Sequence, residues 1–355
     1  MRTDADITLY AEQYLSGDIT DDWVFETDHH YIIGEEGSNS TNFTPGTNLE
    51  IQPGAIIRIE PANDLIIHGT ISTQGEENNM FWVTSNEGFG EILEQNFIDS
   101  TNHYNNFELL YYSIVVDDII EWGKFDLANT GLLNQVNNLH MQNSIFRNSQ
   151  CGFCSSNVDS TFCSNLLCES ITNESEAGIY YNQVSNGLIE KNVVIECENG
   201  TKIKTYSNPE VKNNYITNCG LAMESSYYSH PNIHNNCLIN CEISIYIKCF
   251  SSPTITKNII GSRIGIQTFK IVEVIEIHYN NLNCNDYSIK LLLNEYIHGD
   301  VNAENNYFYT INNEEIQELI YDKNDVEISL QIYMGEVFYI PFLTQKCLYA
   351  GIQEY

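Results

Sequence analysis

Six side chains near the middle of the chain have the types and spacing that recognition of a sugar chain would use: Tyr180, Lys202, Lys204, Glu224, Tyr246 and Lys248. They fall in four short segments offset by 22 residues: Gly178-Ile-Tyr-Tyr-Asn, Gly200-Thr-Lys-Ile-Lys, Ala222-Met-Glu-Ser-Ser and Ser244-Ile-Tyr-Ile-Lys. Read as strands, these segments alternate. Ile179, Thr201, Met223 and Ile245 then face inward, with Tyr181, Ile203, Ser225 and Ile247 two residues on. The outward columns are Tyr180, Lys202, Glu224, Tyr246 and Asn182, Lys204, Ser226, Lys248, so three of the eleven lysines meet two tyrosines on one flat face. Tyrosine combines an apolar ring with a polar tip, which together with interspersed charge suits a glycan lying across strands. A lysine with a lowered pKa could instead act as the base of a lyase, with calcium neutralising the uronate. The plain alternative is a solvated face on which Lys202 and Lys248 pair with Glu224 across neighbouring strands, each pair contributing little.

Other groups that could do chemistry are less specific. Asp117-Asp118, with Glu121 and Asp126 nearby, is the kind of carboxylate pair that holds calcium or divides acid and base roles, but a chain with 48 acids produces such pairs by chance. Residues 86–106 lose the strand pattern and carry Glu87, Glu91, Glu94, Asp99 and His103, which reads as a loop projecting from a scaffold. His29 and His30 beside Asp28 could ligate a metal, yet adjacent strand residues face opposite ways. Cys151-x-x-Cys154 with Cys163 and Cys168 supplies one CxxC unit where the strong zinc signature has two, so no metal site is assigned. Cys197, Cys219 and Cys241 recur every 22 residues. Stacked ~4.8 Å apart with parallel Cβ vectors, they sit beyond the ~3.5–4.5 Å Cβ separation of a disulfide and read as buried thiols. Tyr206, Tyr228 and Phe250, also 22 apart, read as packing under a turn.

The element that must position these residues is a repeat. Asn143, Asn165, Asn192, Asn214, Asn236, Asn258, Asn281 and Asn306 follow one another at intervals of 22, 27, 22, 22, 22, 23 and 25 residues, each before a short apolar run. A period of this length signals a solenoid whose units bury their apolar faces against each other. Breaks at Asn, Ser, Gly or Pro every few residues exclude helical repeats, and the Leu-x-x-Leu-x-Leu pattern of leucine-rich repeats is missing. Three short strands and three turns fill 22 residues, giving one triangular coil per repeat, with the asparagine amides forming a ladder at one bend. From Thr47 the pairs Leu49/Ile51, Ile57/Ile59 and Leu65/Ile67 recur every eight residues, one pair for each side of a coil.

The chain thereby resembles the right-handed parallel β-helices of the pectin-lyase-like superfamily, in particular bacterial secreted and surface proteins with β-helix repeats. The resemblance is carried by Pro231-Asn-Ile-His-Asn-Asn and Pro253-Thr-Ile-Thr-Lys-Asn, by Leu49-Glu-Ile-Gln-Pro-Gly-Ala-Ile-Ile-Arg-Ile with Leu65-Ile-Ile-His-Gly-Thr-Ile, and by the closing Val337-Phe-Tyr-Ile-Pro-Phe-Leu. It covers almost the whole chain and implies an all-β, right-handed parallel β-helix with three parallel sheets and ~22-residue coils, about ten to twelve of them. The superfamily spans lyases, glycoside hydrolases, adhesins and proteins without a reaction, so activity does not follow from it. The Asn-Thr-Asp, Asp-Asp and Gly-His-Gly signatures of β-helical polygalacturonases are not present here as a set.

One domain is expected. Residues 1–46, with Trp23, Phe25, Tyr31 and Ile33 alternating, cover the N-terminal end; the coils span 47–310; and 311–355 close the other end. There Asn312 is an N-cap with Glu315 completing a capping box, Ile316, Leu319 and Ile320 follow at helical spacing, and Pro341-Phe-Leu anchors a returning tail. Ends closed in this way predict a monomer.

A net charge of −33, from 48 acids and 15 bases, excludes nucleic acid and anionic membranes as partners. No run of 18 apolar residues exists to cross a membrane. The start, Met1-Arg-Thr-Asp-Ala-Asp, has no apolar stretch of a signal peptide, and given the resemblance a signal removed from an extracellular or cell-surface protein is the expectation. The leading reading is a secreted or surface protein binding glycan or another surface partner without catalysis. The second is a polysaccharide lyase or glycoside hydrolase using the Tyr180 to Lys248 face. Metal handling, known among related repeat proteins, has only acidity and scattered His and Cys behind it. No cofactor is assigned, calcium being the one ion the lyase reading would add.

Overall fold

The computed structural model describes residues 12–34, 40–60, 63–85, 108–111, 119–126, 130–135, 138–147, 149, 151–168, 177–293 and 299–353. The chain winds as a parallel β-solenoid of about ten turns. Every third strand returns to the same sheet. The first sheet has twelve strands from Gln13–Leu15 to Asn281–Leu282, and the second has thirteen from Asp18–Ile19 to Ile320–Tyr321. The third has ten strands from Ile119–Glu121 to Val337–Phe338, and three more, Trp23–Phe25, Asn48–Ile51 and Thr70–Thr73, pair separately on the N-terminal side. All inter-strand pairs within these sheets are parallel, for example Ile189 beside Val211, Val194 beside Ile216 and Ile245 beside Ile266. The pairs Leu49/Ile51, Ile57/Ile59 and Leu65/Ile67 each fall on a different side of one coil, and all six side chains are buried. Strand pairing starts at Gln13 with Tyr31, so part of the 1–46 segment already winds in step with the coils.

Alternation fills the interior. Ile179, Thr201, Met223 and Ile245, with Tyr181, Ile203, Ser225 and Ile247, are all buried. Each fully buried aliphatic side chain removes enough apolar area to contribute about 1.5–3 kcal/mol. In the N-terminal half the interior is aromatic. Phe81, Phe125, Phe146, Phe162 and Phe153 succeed one another at centroid distances of 4.5–5.8 Å, and Tyr181 follows Phe153 at 6.2 Å.

Each of the three bends carries its own side-chain ladder, built in a similar way. A residue with positive φ turns the chain, and a small polar or thiol residue shortly after it accepts the backbone N–H of its counterpart in the preceding coil. Between the third and first sheets the ladder is Asn165, Asn192, Asn214, Asn236, Asn258, Asn280 and Asn306, each Oδ1 accepting the previous member's N–H and Nδ2 at 2.8–3.2 Å. Two members expected from the sequence belong elsewhere. Asn143 is the positive-φ residue of its bend, and Ser144 takes the ladder place, its Oγ accepting from Gly123 N. Asn281 opens the next strand, one residue beyond the ladder. Asparagine suits both roles, since its short amide tolerates left-handed backbone and also bonds neighbouring amides, so spacing alone cannot separate them. Between the second and third sheets Ser185, Ser207, Ser229 and Ser251 form a serine ladder. Between the first and second, Cys241 Sγ accepts from Cys219 N, and Ser262 Oγ from Cys241 N.

The C-terminal end carries a helix, Asn313–Glu318, with Asn312 as its N-cap accepting from Glu314 N. Instead of closing a capping box, the Glu315 carboxylate takes the Asn312 side-chain amide and the Thr310 hydroxyl. The tail then runs back across the coils at the asparagine bend. Leu343 N bonds Asn306 O, Cys347 exchanges two bonds with the Asn281 amide, Gly351 N bonds Lys257 O, Asn235 Nδ2 reaches Tyr349 O and Gly351 O, and Gln353 N reaches Asn213 Oδ1.

Candidate functional site

The second sheet brings all six singled-out side chains to one outer face. They sit on Ile179–Asn182, Asn199–Lys204, Leu221–Ser226 and Ile243–Lys248, in the register Tyr180 beside Lys202, Lys202 beside Glu224, and Glu224 beside Tyr246. Glu224 is the hub. Its carboxylate accepts from Ser226 Oγ at 2.7 Å and lies 3.5 Å from Lys204 Nζ and 3.2 Å from Lys248 Nζ. Lys204 thus joins Lys248 at the Glu224 carboxylate. Lys202 stands directly beside Glu224 in register, and the Glu224 charge acts on it, while Lys204 and Lys248 reach the carboxylate from diagonal positions two residues on.

The outward positions are deeper than alternation alone implies. Lys202 is 1% and Glu224 2% exposed. Burial first, then the neighbouring Lys204 charge, lowers the Lys202 pKa to about 8, with Glu224 opposing the shift. Burial raises the Tyr180 phenol to about 12, with Cys154, Cys151, Glu224 and Tyr227 adding to it, and burial raises that of Tyr246. Both phenols therefore stay protonated at neutral pH and can donate. Lys204 Nζ lies 5.8 Å from the Tyr180 ring centre and Lys248 Nζ 5.1 Å from that of Tyr246, within cation–π range. The cluster offers ammonium and phenol donors around one carboxylate, an arrangement that fits an anionic, hydroxyl-rich ligand.

Of the remaining candidates, Cys154 stands beside Tyr180 in register at the edge of this face. Asp117-Asp118 and residues 86–106 fall outside the described residues. His29 Nδ1 meets Thr27 O at 3.0 Å and its Nε2 lies 3.6 Å from Glu26, while burial lowers the pKa of His30 on the adjoining strand. Cys151 and Cys154 lie on the second sheet and Cys163 on the third, its Sγ 3.2 Å from His140 Nε2. Among the described residues no three His, Cys, Asp or Glu side chains gather closely enough to hold a metal ion. Tyr206, Tyr228 and Phe250 do not pack under a turn. They form an open stack with ring centres 5.2 and 5.1 Å apart, Tyr206 being 52% and Tyr228 43% exposed, because each has positive φ and its side chain projects off the coil.

Cys197, Cys219 and Cys241 are buried free thiols, as their spacing implies. The Cys219 thiol is pushed up to about 12, chiefly by its contact with Cys197, and that of Cys241 is raised by Cys219 and burial. Native protein exposed to iodoacetamide at pH 8 should leave these three unmodified, as mass spectrometry of peptides will read, and they should alkylate only at the rate of unfolding. Modification as fast as that of a denatured control would contradict the burial.

Parallel strands that return to the same sheet once per coil define a parallel β-helix. No protein-family model matches the chain, and no curated protein matches it. Among solved structures it is similar to the hyperthermoactive exopolygalacturonase from Thermotoga maritima, at 12% identity over 82% of this chain and 74% of that one, with a TM-score of 0.28.

Proposed function

We propose that this protein is a non-catalytic binder of an acidic glycan, acting outside the cell or at its surface through the second-sheet face between Tyr180 and Lys248. The observation that carries this reading is the gathering of Lys202, Lys204 and Lys248 with two tyrosines in a chain whose net charge is −33. A polyanion is repelled by the rest of the surface, but beyond about 10 Å that repulsion is screened at 0.1 M salt, so the local lysines decide the contact. The half-buried phenols then offer ring surface and hydroxyl donors to the sugar.

Native electrophoresis through gels containing acidic or neutral polysaccharide, with and without calcium, tests the reading. The acidic polymer should retard the protein and remain intact when the gel is stained. Tyr180→Ala and Tyr246→Ala should each weaken retardation by up to about tenfold in apparent affinity. Equal migration in acidic, neutral and blank gels sinks the proposal. A cleared zone around the band would favour a lyase instead, with Lys202, close to losing its proton near pH 8, as the base.

A further inference from the structure

The lysine face does not end at Tyr246. Its row continues in register through Gln267 and Lys290 to Tyr321, and the parallel row passes from Lys248 to Phe269. Where these rows reach the last strands of the sheet, the surface sinks into an open hollow of about 500 Å³ lined by Phe269, Tyr287, Lys290, Leu292, Leu293 and Tyr321. Lys290 Nζ stands 5.0 Å from the Tyr287 ring centre, and the Tyr287 and Tyr321 rings meet edge to face at 5.8 Å. Glu224 and Lys290 are three rungs apart, which at the spacing of parallel strands is ~14 Å. Between them lie Tyr246 and Gln267, an unbroken polar and aromatic floor.

We infer that this hollow is a second subsite for the same acidic glycan: its aromatic walls take one sugar ring, Lys290 takes that ring's carboxylate, and the chain runs along the solenoid axis from Glu224 to Tyr321. This rests on the acidic-glycan reading and adds to it a direction and a minimum length. Two subsites on one rigid sheet act as a bivalent receptor, so a ligand long enough to span both gains from effective concentration while a short one does not.

Titration of size-fractionated oligouronates, from dimer to about octamer, into the full-length protein tests it by calorimetry. Affinity should climb steeply, by roughly a hundredfold, once the oligomer spans both subsites. Lys290→Ala and, separately, Phe269→Ala should abolish that climb and leave binding of the shortest retained oligomers unchanged, with melting temperatures confirming that both variants fold. If both variants keep the wild-type dependence on length, the second subsite is overturned while the lysine face stands. If no oligomer of any length binds the wild-type protein, both fall together.

Discussion

Asn236→Ala should destabilise the protein by about 3–5 kcal/mol, read as a fall in urea midpoint at unchanged slope. Asn236 is buried and meets five polar groups of four residues. Its Oδ1 accepts from Asn214 N and Nδ2, and its Nδ2 donates to Val211 O, His234 O and Asn258 Oδ1. Alanine leaves the Asn214 amide and the Val211 carbonyl without these partners inside the coil, each at about 1–3 kcal/mol, and interrupts a chain of mutually polarising bonds. Asn280→Ala should cost a similar amount, for Asn280 makes the same set with Ile255, His278 and Asn306. Asn281→Ala should cost clearly less, about 1–2 kcal/mol, since it loses only two bonds to the Cys347 backbone. Equal losses at 280 and 281 would show that the ladder register is wrong.

Glu224→Gln should tighten acidic-glycan binding by about tenfold, the effect expected from removing one negative charge within a few ångströms of the ligand's carboxylate. The amide can keep a bond to Ser226, while Lys204 and Lys248 lose their internal partner and turn to the ligand. Adding Lys204→Ala and Lys248→Ala to Glu224→Gln should then reduce affinity by about a hundredfold or more, and the Gln avoids stranding a buried carboxylate that would confound the result. A residue acting as a catalytic acid would behave oppositely: Glu224→Gln would abolish turnover without tightening. The pH dependence follows from Lys202. A bound anion favours its protonated form, so the free-state pKa of about 8 rises on binding. Affinity is therefore at its full value below pH 8 and declines above it, by up to about tenfold per pH unit until the bound-state value is reached. A flat profile between pH 7 and 10 would remove Lys202 from the site.

Much of this architecture is legible in the residues because a solenoid turns one local rule into a period. The 22-residue offset aligns Tyr180, Lys202, Glu224 and Tyr246, and the alternation of Ile179 and Tyr181 with Tyr180 and Asn182 tells inside from outside. Two kinds of information were lost. Residues with interchangeable roles blurred the register: Asn143 and Ser144, and Asn280 and Asn281, differ by one place, and only the backbone shows which one turns and which one bonds. The serine ladder through Ser207 and Ser229 has the same period but hides in a chain rich in serine. Side-chain reach was the other. That Lys204, two residues on, meets Glu224 is a matter of length and direction, and the open stack of Tyr206 on Tyr228 depends on positive φ, which tyrosine does not advertise. The hollow around Lys290 has no signature in the sequence, because it joins Phe269, Tyr287 and Tyr321 from three strands, the last of them beyond the regular repeat.

The tail crossing the asparagine bend has a consequence for how such a chain can change over generations. A stack of near-identical coils would ordinarily lengthen or shorten by duplicating or deleting one repeat, because each unit meets only its neighbours. Here Leu343, Cys347, Gly351 and Gln353 are matched in order to Asn306, Asn281, Lys257 and Asn213. A coil gained or lost between Asn213 and Asn306 would leave those partners out of phase, whereas one gained or lost before Asn213 would leave every one of these contacts intact. The tail thus works as a gauge that fixes the number of coils in the C-terminal half, which includes Glu224, Tyr246 and Lys248, and leaves the N-terminal half free to vary in length.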